Sequence, residues 1–251
     1  MSRWKASLIH LSLSISIAAI VLTLMLLLWF APPFFSAAGG HDVLLIMLAV
    51  DVTLGPFITL IIFDLKKSRR ALLFDFSVIA MLQISALVYG LTVMFHARPV
   101  YVVFSKGSFD LVTENMLDNR DLAKVRYPQF GSPPFSGQVY AYTEMPTDPR
   151  EINEVVMTAF SGKDLPQYPQ YYKPLTEHAQ AVAAAAKPIQ QLRNLNPGKT
   201  AEIDSAIHAA RQSEQDLGFV PLRAKFEDLA VIVSRRDGKI QTILALQPWK
   251  N

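Results

Sequence analysis

The sequence has no cysteine among its 251 residues, which excludes disulfides, thiolate metal sites and a cysteine nucleophile while leaving the compartment open. Charge is also scarce: 18% of residues are charged, against about 25% in soluble domains, and 51% are hydrophobic. The shortage lies in the first part of the chain. Of totals of 24 bases and 21 acids, residues 1–96 carry six bases (Arg3, Lys5, Lys66, Lys67, Arg69, Arg70) and four acids (Asp42, Asp51, Asp64, Asp75). Residues 97–251 therefore hold 18 bases and 17 acids, an ordinary, nearly neutral soluble sequence. That distribution excludes a single soluble enzyme domain and a disordered chain. The pI near 9.0 carries no nucleic-acid signal, because four of the bases form one short run and no basic stripe alternates with aromatics.

Catalytic signatures are missing as well. The histidines at 10, 41, 96, 178 and 208 are scattered, with no HExxH and no pair at ligand spacing. There is no GxSxG, no phosphate loop and no dinucleotide fingerprint. Gly39-Gly40-His41-Asp42 has the glycines of an intramembrane aspartyl protease motif in the wrong order. The expectation is a non-enzymatic protein with no catalytic residues, no metal and no cofactor.

Three apolar runs are present: Leu8–Phe30 without a charge, Val43–Phe63 with one acid and Leu72–Phe95 with one acid. At about 1.5 Å per helical residue, each is long enough for a hydrocarbon core of about 30 Å. The fold class expected is a membrane protein with three transmembrane α-helices (spans about 8–30, 43–63 and 72–95) within an anchor at 1–96. A periplasmic α+β domain with two hairpins and about three helices follows at 97–251. A cleaved leader fits poorly, because the first run exceeds a signal h-region and Pro32-Pro33 precedes the small residues at Ser36-Ala37-Ala38. Basic residues flank the first run at Arg3 and Lys5 and lie at 66–70, whereas 31–42 has none. The positive-inside rule then places the N-terminus in the cytoplasm and everything after Phe95 outside, on a bacterial inner membrane.

Polar residues within the runs are costly and therefore informative. Counting along the helices puts Asp51 about 12 Å below the outer face and Gln83 at a similar depth. Asp51, Gly55 and Thr59 share one helical face, and small residues of this kind let helices approach closely. Asp51 has three readings: it bonds Gln83 and locks the bundle, it docks another protein's transmembrane helix, or it belongs to a proton path. Thr59 and Asp75 read as a second layer near the inner face, with Asp75 in a local ion pair beside the basic loop. Pro56 cannot donate its amide and should kink the second helix near Val52.

Beyond the third run, Arg98-Pro99 ends the helix. Val100–Phe104, Lys106-Gly107 and Phe109–Thr113 read as one hairpin, and Leu229–Ser234, Asp237-Gly238 and Lys239–Leu246 as another. Val139–Tyr142 is a candidate strand. Helices are expected from Thr147–Pro149 to about Phe160, over Leu175–Lys187, and from Thr200 to Leu217 with Gly218 as the stop. Tyr168, Tyr171 and Tyr172 lie in a Pro- and Tyr-rich loop that forms either a partner surface or packing on its own core.

The segments MSRWKASLIHL, AGGHDVLLIMLAVDVTLGPFITLIIF and LLFDFSVIAMLQISALVYG, followed by ARPVYVVF, resemble the type IV pilin accessory proteins of the TfpX/TfpZ kind, related to FimB. Trp4, Asp51, Gly55-Pro56, Asp75, Gln83 and Arg98-Pro99 carry the resemblance, which continues more weakly to Trp249. It implies a chaperone-like inner-membrane accessory factor that supports assembly or surface display of a cognate type IV pilin. The partners implied are the major pilin, through its transmembrane helix and periplasmic head, and inner-membrane pilus assembly proteins, within a lipid bilayer. The face of Asp51, Gly55, Pro56, Thr59 and Gln83 is the expected partner site, and Asp75, Arg98, Pro99 and the three tyrosines are structural or interface candidates. A periplasmic sensor, or a scaffold of another envelope complex, is the alternative.

Overall fold

The structure is a computed structural model that describes residues 2–63 and 67–249, without the side chains of Asp42, Val43, Ile46, Met47, Val50 and Asp51. Helix α1 covers Arg3–Leu28, and the Ser2 hydroxyl caps it by accepting from the Lys5 amide. After a short helix α2 (Phe34–Ala37), the chain forms α3 (Gly40–Leu48), a π-helical turn (Ala49–Leu54) and α4 (Gly55–Ile62). Helix α5 (Arg69–Ala97) follows, capped by Ser68.

Among the described residues two helices, α1 and α5, are long and apolar enough to cross a membrane. Only 11% and 6% of their most apolar windows are buried, unlike the core helices of a soluble protein. The three expected spans are therefore corrected: the middle run is not one helix. Gly55-Pro56 removes an amide donor and crowds the carbonyl one turn earlier, and the chain widens into the π turn at that point. The pieces on either side, nine and eight residues long, reach only about 14 and 12 Å, and neither crosses a core of about 30 Å alone. The broken segment runs back along α5. Leu44 packs near Met25 and Met94, Gly55 abuts Gln83, and the Phe63 and Phe76 rings lie 6.2 Å apart. Helices α1 and α5 thus run parallel, with their basic ends together.

Both expected hairpins are present, and they belong to one eight-stranded sheet. Strands β1 (Pro99–Ser105) and β2 (Ser108–Thr113) form the first hairpin, with Lys106 and Gly107 both at positive φ as a tight primed turn requires. A short helix α6 (Asn119–Leu122), β3 (Val139–Tyr142), α7 (Pro149–Ala159) and β4 (Lys173–Pro174) come next. Then follow α8 (Ala179–Ala185), β5 (Lys187–Pro188), α9 (Ile189–Leu195) and α10 (Thr200–Ala210). Strands β6 (Leu217–Arg223), β7 (Leu229–Ser234) and β8 (Ile240–Leu244) end the fold. The order is β4-β3-β1-β2-β6-β7-β8, with β5 beside β6.

Strand β6 lies where the third helix was expected to end. Helix α10 stops earlier, with Arg211 left-handed at φ 52°. Pro221 fits inside β6 because that edge pairs with β5 at Gly218–Phe219 and with β2 at Leu222–Arg223, leaving Pro221 in the gap where no amide is needed.

Both faces of the sheet are covered, so its strands read as continuous apolar runs. Val102, Phe104, Val220 and Val231 face one core with Val182 of α8, and Phe219, Ala230 and Ile232 face another with Ile189, Leu192 and Ile203. Phe34 and Ala37 of α2, from the expected outer loop, are buried in the first of these cores. The Ala37 carbonyl accepts from the Phe226 amide, and the Leu28 carbonyl accepts from Gly137. Helix α2 and the sheet thus share a core.

Candidate functional site

Between α1, α4 and α5 lies a polar layer built around His10. Its Nδ1 is 2.6 Å from the Thr59 hydroxyl and its Nε2 is 2.9 Å from Gln83 Oε1. A neutral imidazole with its proton on Nε2 satisfies both contacts: Nε2–H donates to Gln83 and Nδ1 accepts from Thr59. One turn earlier, the Ser7 hydroxyl donates to the Pro56 carbonyl at 2.9 Å. Gly55 is required by close approach, since a Cβ there would sit 2.1 Å from Gln83 Nε2 and 3.2 Å from His10 Nε2.

Of the residues singled out in the sequence, Gly55, Pro56, Thr59 and Gln83 meet here. Their shared face is occupied inside the bundle by α1 rather than presented outward. The backbone of Asp51 lies in the π turn, and its side chain is outside the described residues. Thr59 belongs with Gln83 rather than with Asp75, because counting from run edges fixes depth along each helix but not the stagger between helices. Asp75 instead accepts from Lys67 at 2.6 Å. His10 was missed as a functional residue; its signal is an ionisable side chain within an otherwise charge-free run.

Arg98 and Pro99 join α5 to the sheet. Arg98 is extended, as its following proline demands, and only 4% exposed. Its guanidinium lies 3.7 Å from the centre of the Phe95 ring, donates to the Phe95 carbonyl at 2.6 Å and reaches the Pro134 carbonyl at 3.2 Å. Burial lowers its pKa, and Glu114 at 4.0 Å opposes that shift. Glu114 also meets His96 Nδ1 at 2.6 Å. Tyr168 and Tyr172 are fully buried, the latter donating to the Pro166 carbonyl, and Tyr171 is half-buried. The loop packs on its own core, so Tyr168 and Tyr172 present no surface.

Two concavities stand out. A groove of about 480 Å³ runs between α1, from Ala6 to Ala18, and α5, from Phe76 to Leu87. His10 and Gln83 line it and also touch α4, so they form its floor. A second cavity of about 740 Å³ lies between β3 and β8, closed on one side by Pro32-Pro33-Phe34. Among the described residues, no three of His, Cys, Asp and Glu are grouped to hold a metal.

No protein-family model matches the sequence, and no solved structure does. Among curated proteins, the fimbrial assembly protein of Dichelobacter nodosus serogroup I is 29% identical over 221 residues, 87% of this chain and 85% of that one. The serogroup E1 protein matches with the same identity and coverage. The fimbrial assembly protein of serogroups C1 and C2 is 33% identical over 110 residues, which are 44% of this chain and 84% of that protein. The chain belongs to the fimbrial assembly proteins. The match to the serogroup I and E1 proteins extends over most of this chain. Fimbrial biogenesis is thus the process in which this fimbrial assembly protein takes part.

Proposed function

We propose that this fimbrial assembly protein is a non-enzymatic, chaperone-like accessory factor of the TfpX/TfpZ kind, which supports assembly or surface display of a cognate type IV pilin from the bacterial inner membrane. The observation that carries the reading is the match over 87% of the chain to proteins named for fimbrial assembly. In this reading α1 and α5 sit in the bilayer. Their basic ends, Arg3 and Lys5 with Lys67, Arg69 and Arg70, lie in the cytoplasm by the positive-inside rule. The sheet, at the opposite end of both helices, is then periplasmic and faces the pilin head. Inner-membrane pilus assembly proteins are further partners.

The test is a clean deletion in the host, with surface and total major pilin quantified together. Surface pilin falling while total pilin holds identifies an assembly factor, and both falling together identifies a pilin stabiliser. No change in either refutes the reading.

A further inference from the structure

A further hollow, of about 440 Å³, lies where α5 meets the sheet, and the loop between β6 and β7 forms part of its wall. That loop is held at the level where the helices emerge. The Phe226 amide donates to the Ala37 carbonyl, and the Phe226 ring lies so close over Gly39 that no Cβ would fit there. Phe226 is nonetheless 56% exposed. Lys225 beside it is also exposed, holds its Nζ 5.4 Å from the centre of that ring, and pairs with no acid among the described residues. Thr113 and Asn115 line the same hollow. The Thr113 hydroxyl donates to Asn115 Oδ1 at 2.6 Å, which leaves the Asn115 amide hydrogens as the free end of that side chain. The lining contains no carboxylate; Glu227 lines a separate hollow with Asp228. The α5 wall is apolar. It is made by Val93 and Ala97, which continue a stripe at four-residue spacing from Tyr89, 73% exposed on α5.

We propose that this hollow seats the headgroup of a phospholipid from the leaflet on the sheet's side, with its phosphate at Lys225 and Asn115 and an acyl chain along the Tyr89–Val93 stripe. The helix itself says what covers the hollow. The exposed stripe of α5 runs into it without a break, so the lipid that coats α5 also reaches the donors. Phosphate oxygens only accept hydrogen bonds, and a cation beside an oriented amide donor matches them. With no carboxylate in the lining, an ammonium-bearing headgroup finds no partner, so the site prefers anionic phosphatidylglycerol to phosphatidylcholine. Free phosphate would satisfy the donors but leave the apolar stripe uncovered. Phe226 at this level is an aromatic anchor of the kind that gathers at membrane–water interfaces. The inference rests on the bilayer placement of α1 and α5 proposed above, and not on the identity of the pilin.

The experiment uses the full-length protein in nanodiscs of equimolar phosphatidylglycerol and phosphatidylcholine, with a photo-cross-linking residue in place of Met116, which lines the hollow. Val88, 56% exposed on α5 and outside the hollow, is the control position. Adducts from position 116 should be enriched in phosphatidylglycerol by about fivefold, the weight of one lysine near anionic headgroups. Those from position 88 should follow the bulk ratio. Lys225→Ala should return position 116 to the bulk ratio, as should Asn115→Asp, which keeps the Thr113 bond but removes the donor. Lys225→Arg should keep most of the enrichment, and Lys124→Ala, at an exposed lysine elsewhere, should change nothing. Enrichment that is absent or survives Lys225→Ala overturns the inference, as do adducts to protein alone. Enrichment abolished by inorganic phosphate at constant ionic strength assigns the site to the free anion and overturns it too. Alkaline extraction of host membranes keeps the two readings apart. A protein that washes off refutes the bilayer placement and the inference with it; one that stays, with no enrichment at position 116, loses only this site.

Discussion

Asp110 offers a direct check on how the sheet is held together. It lies on β2 opposite Arg223 of β6, where only two residue pairs join one half of the sheet to the other. Its Oδ1 is 3.1 Å from Arg223 Nε, while its Oδ2 is buried with no hydrogen-bond partner. Burial pushes its pKa from 3.8 to about 6; Arg223 and Lys106 pull it down, and Asp164 and Asp228 push it up. A raised carboxyl pKa means that the folded chain holds the proton more tightly than the unfolded one. Relative stability is therefore highest below about pH 4, falls between about pH 4 and 6, and stays at its lowest above pH 6. At about 1.36 kcal/mol per pH unit, the ceiling on this cost is about 3 kcal/mol. Asp110→Asn keeps the shape and removes the buried charge. It leaves Arg223, 48% exposed and hydrogen-bonded to Ser108, free to be hydrated. Part of the ceiling is lost with the ion pair, so a gain of about 1–2 kcal/mol is expected at pH 7.5, a rise in Tm of about 2–8 °C. The assay is near-UV circular dichroism melting of the full-length protein in detergent, wild type against variant, at several pH values. The difference should vanish near pH 4. An Asn variant that melts lower at pH 7.5, or a difference that does not change with pH, refutes the reasoning.

Other perturbations follow from the packing. Gly55→Ala drives a methyl into Gln83 and should destabilise the bundle by about 1–3 kcal/mol, seen as a lower detergent melting temperature. Phe34→Ala empties a position in the sheet's core and should cost about 3–5 kcal/mol, with faster limited proteolysis between α1 and α3. Arg98→Lys keeps the charge but loses the planar stack on Phe95 and the paired carbonyl contacts. It should be destabilising by about 1–3 kcal/mol in the same melt, and Arg98→Lys melting like wild type would show that charge alone suffices.

Local chemistry made much of this fold readable in advance. Lys106-Gly107 and Asp237-Gly238 mark their turns, Pro149 opens α7 behind the Asp148 cap, and Pro56 places the break beside Val52. What escaped depends on contacts between distant segments. A hydropathy count sums apolar residues and does not register an interrupted helix, so the middle run looked like a third span. Gly218 and Pro221 argue against a strand until β5 and β2 are seen to share the edge of β6. Residues Gly55, Thr59 and Gln83 were legible as polar or small positions in apolar runs. Their meeting point was not, because His10 comes from a helix whose stagger the sequence does not encode locally.

The insertion of α2 into the sheet's core has a mechanical consequence. With Phe34 and Ala37 buried beside β1 and β6, and α5 running into β1 through the buried Arg98, two separate chain crossings fix the helices to the sheet. The linkage therefore transmits rotation rather than absorbing it, and the molecule behaves as a lever with its fulcrum at Phe95–Pro99. Seven-residue β1 extends about 23 Å beyond that point, so a bundle tilt of about 10° carries the Lys106 turn through about 4 Å. A force that tilts the helices would thereby move the Lys106 turn by a little under the spacing of neighbouring strands.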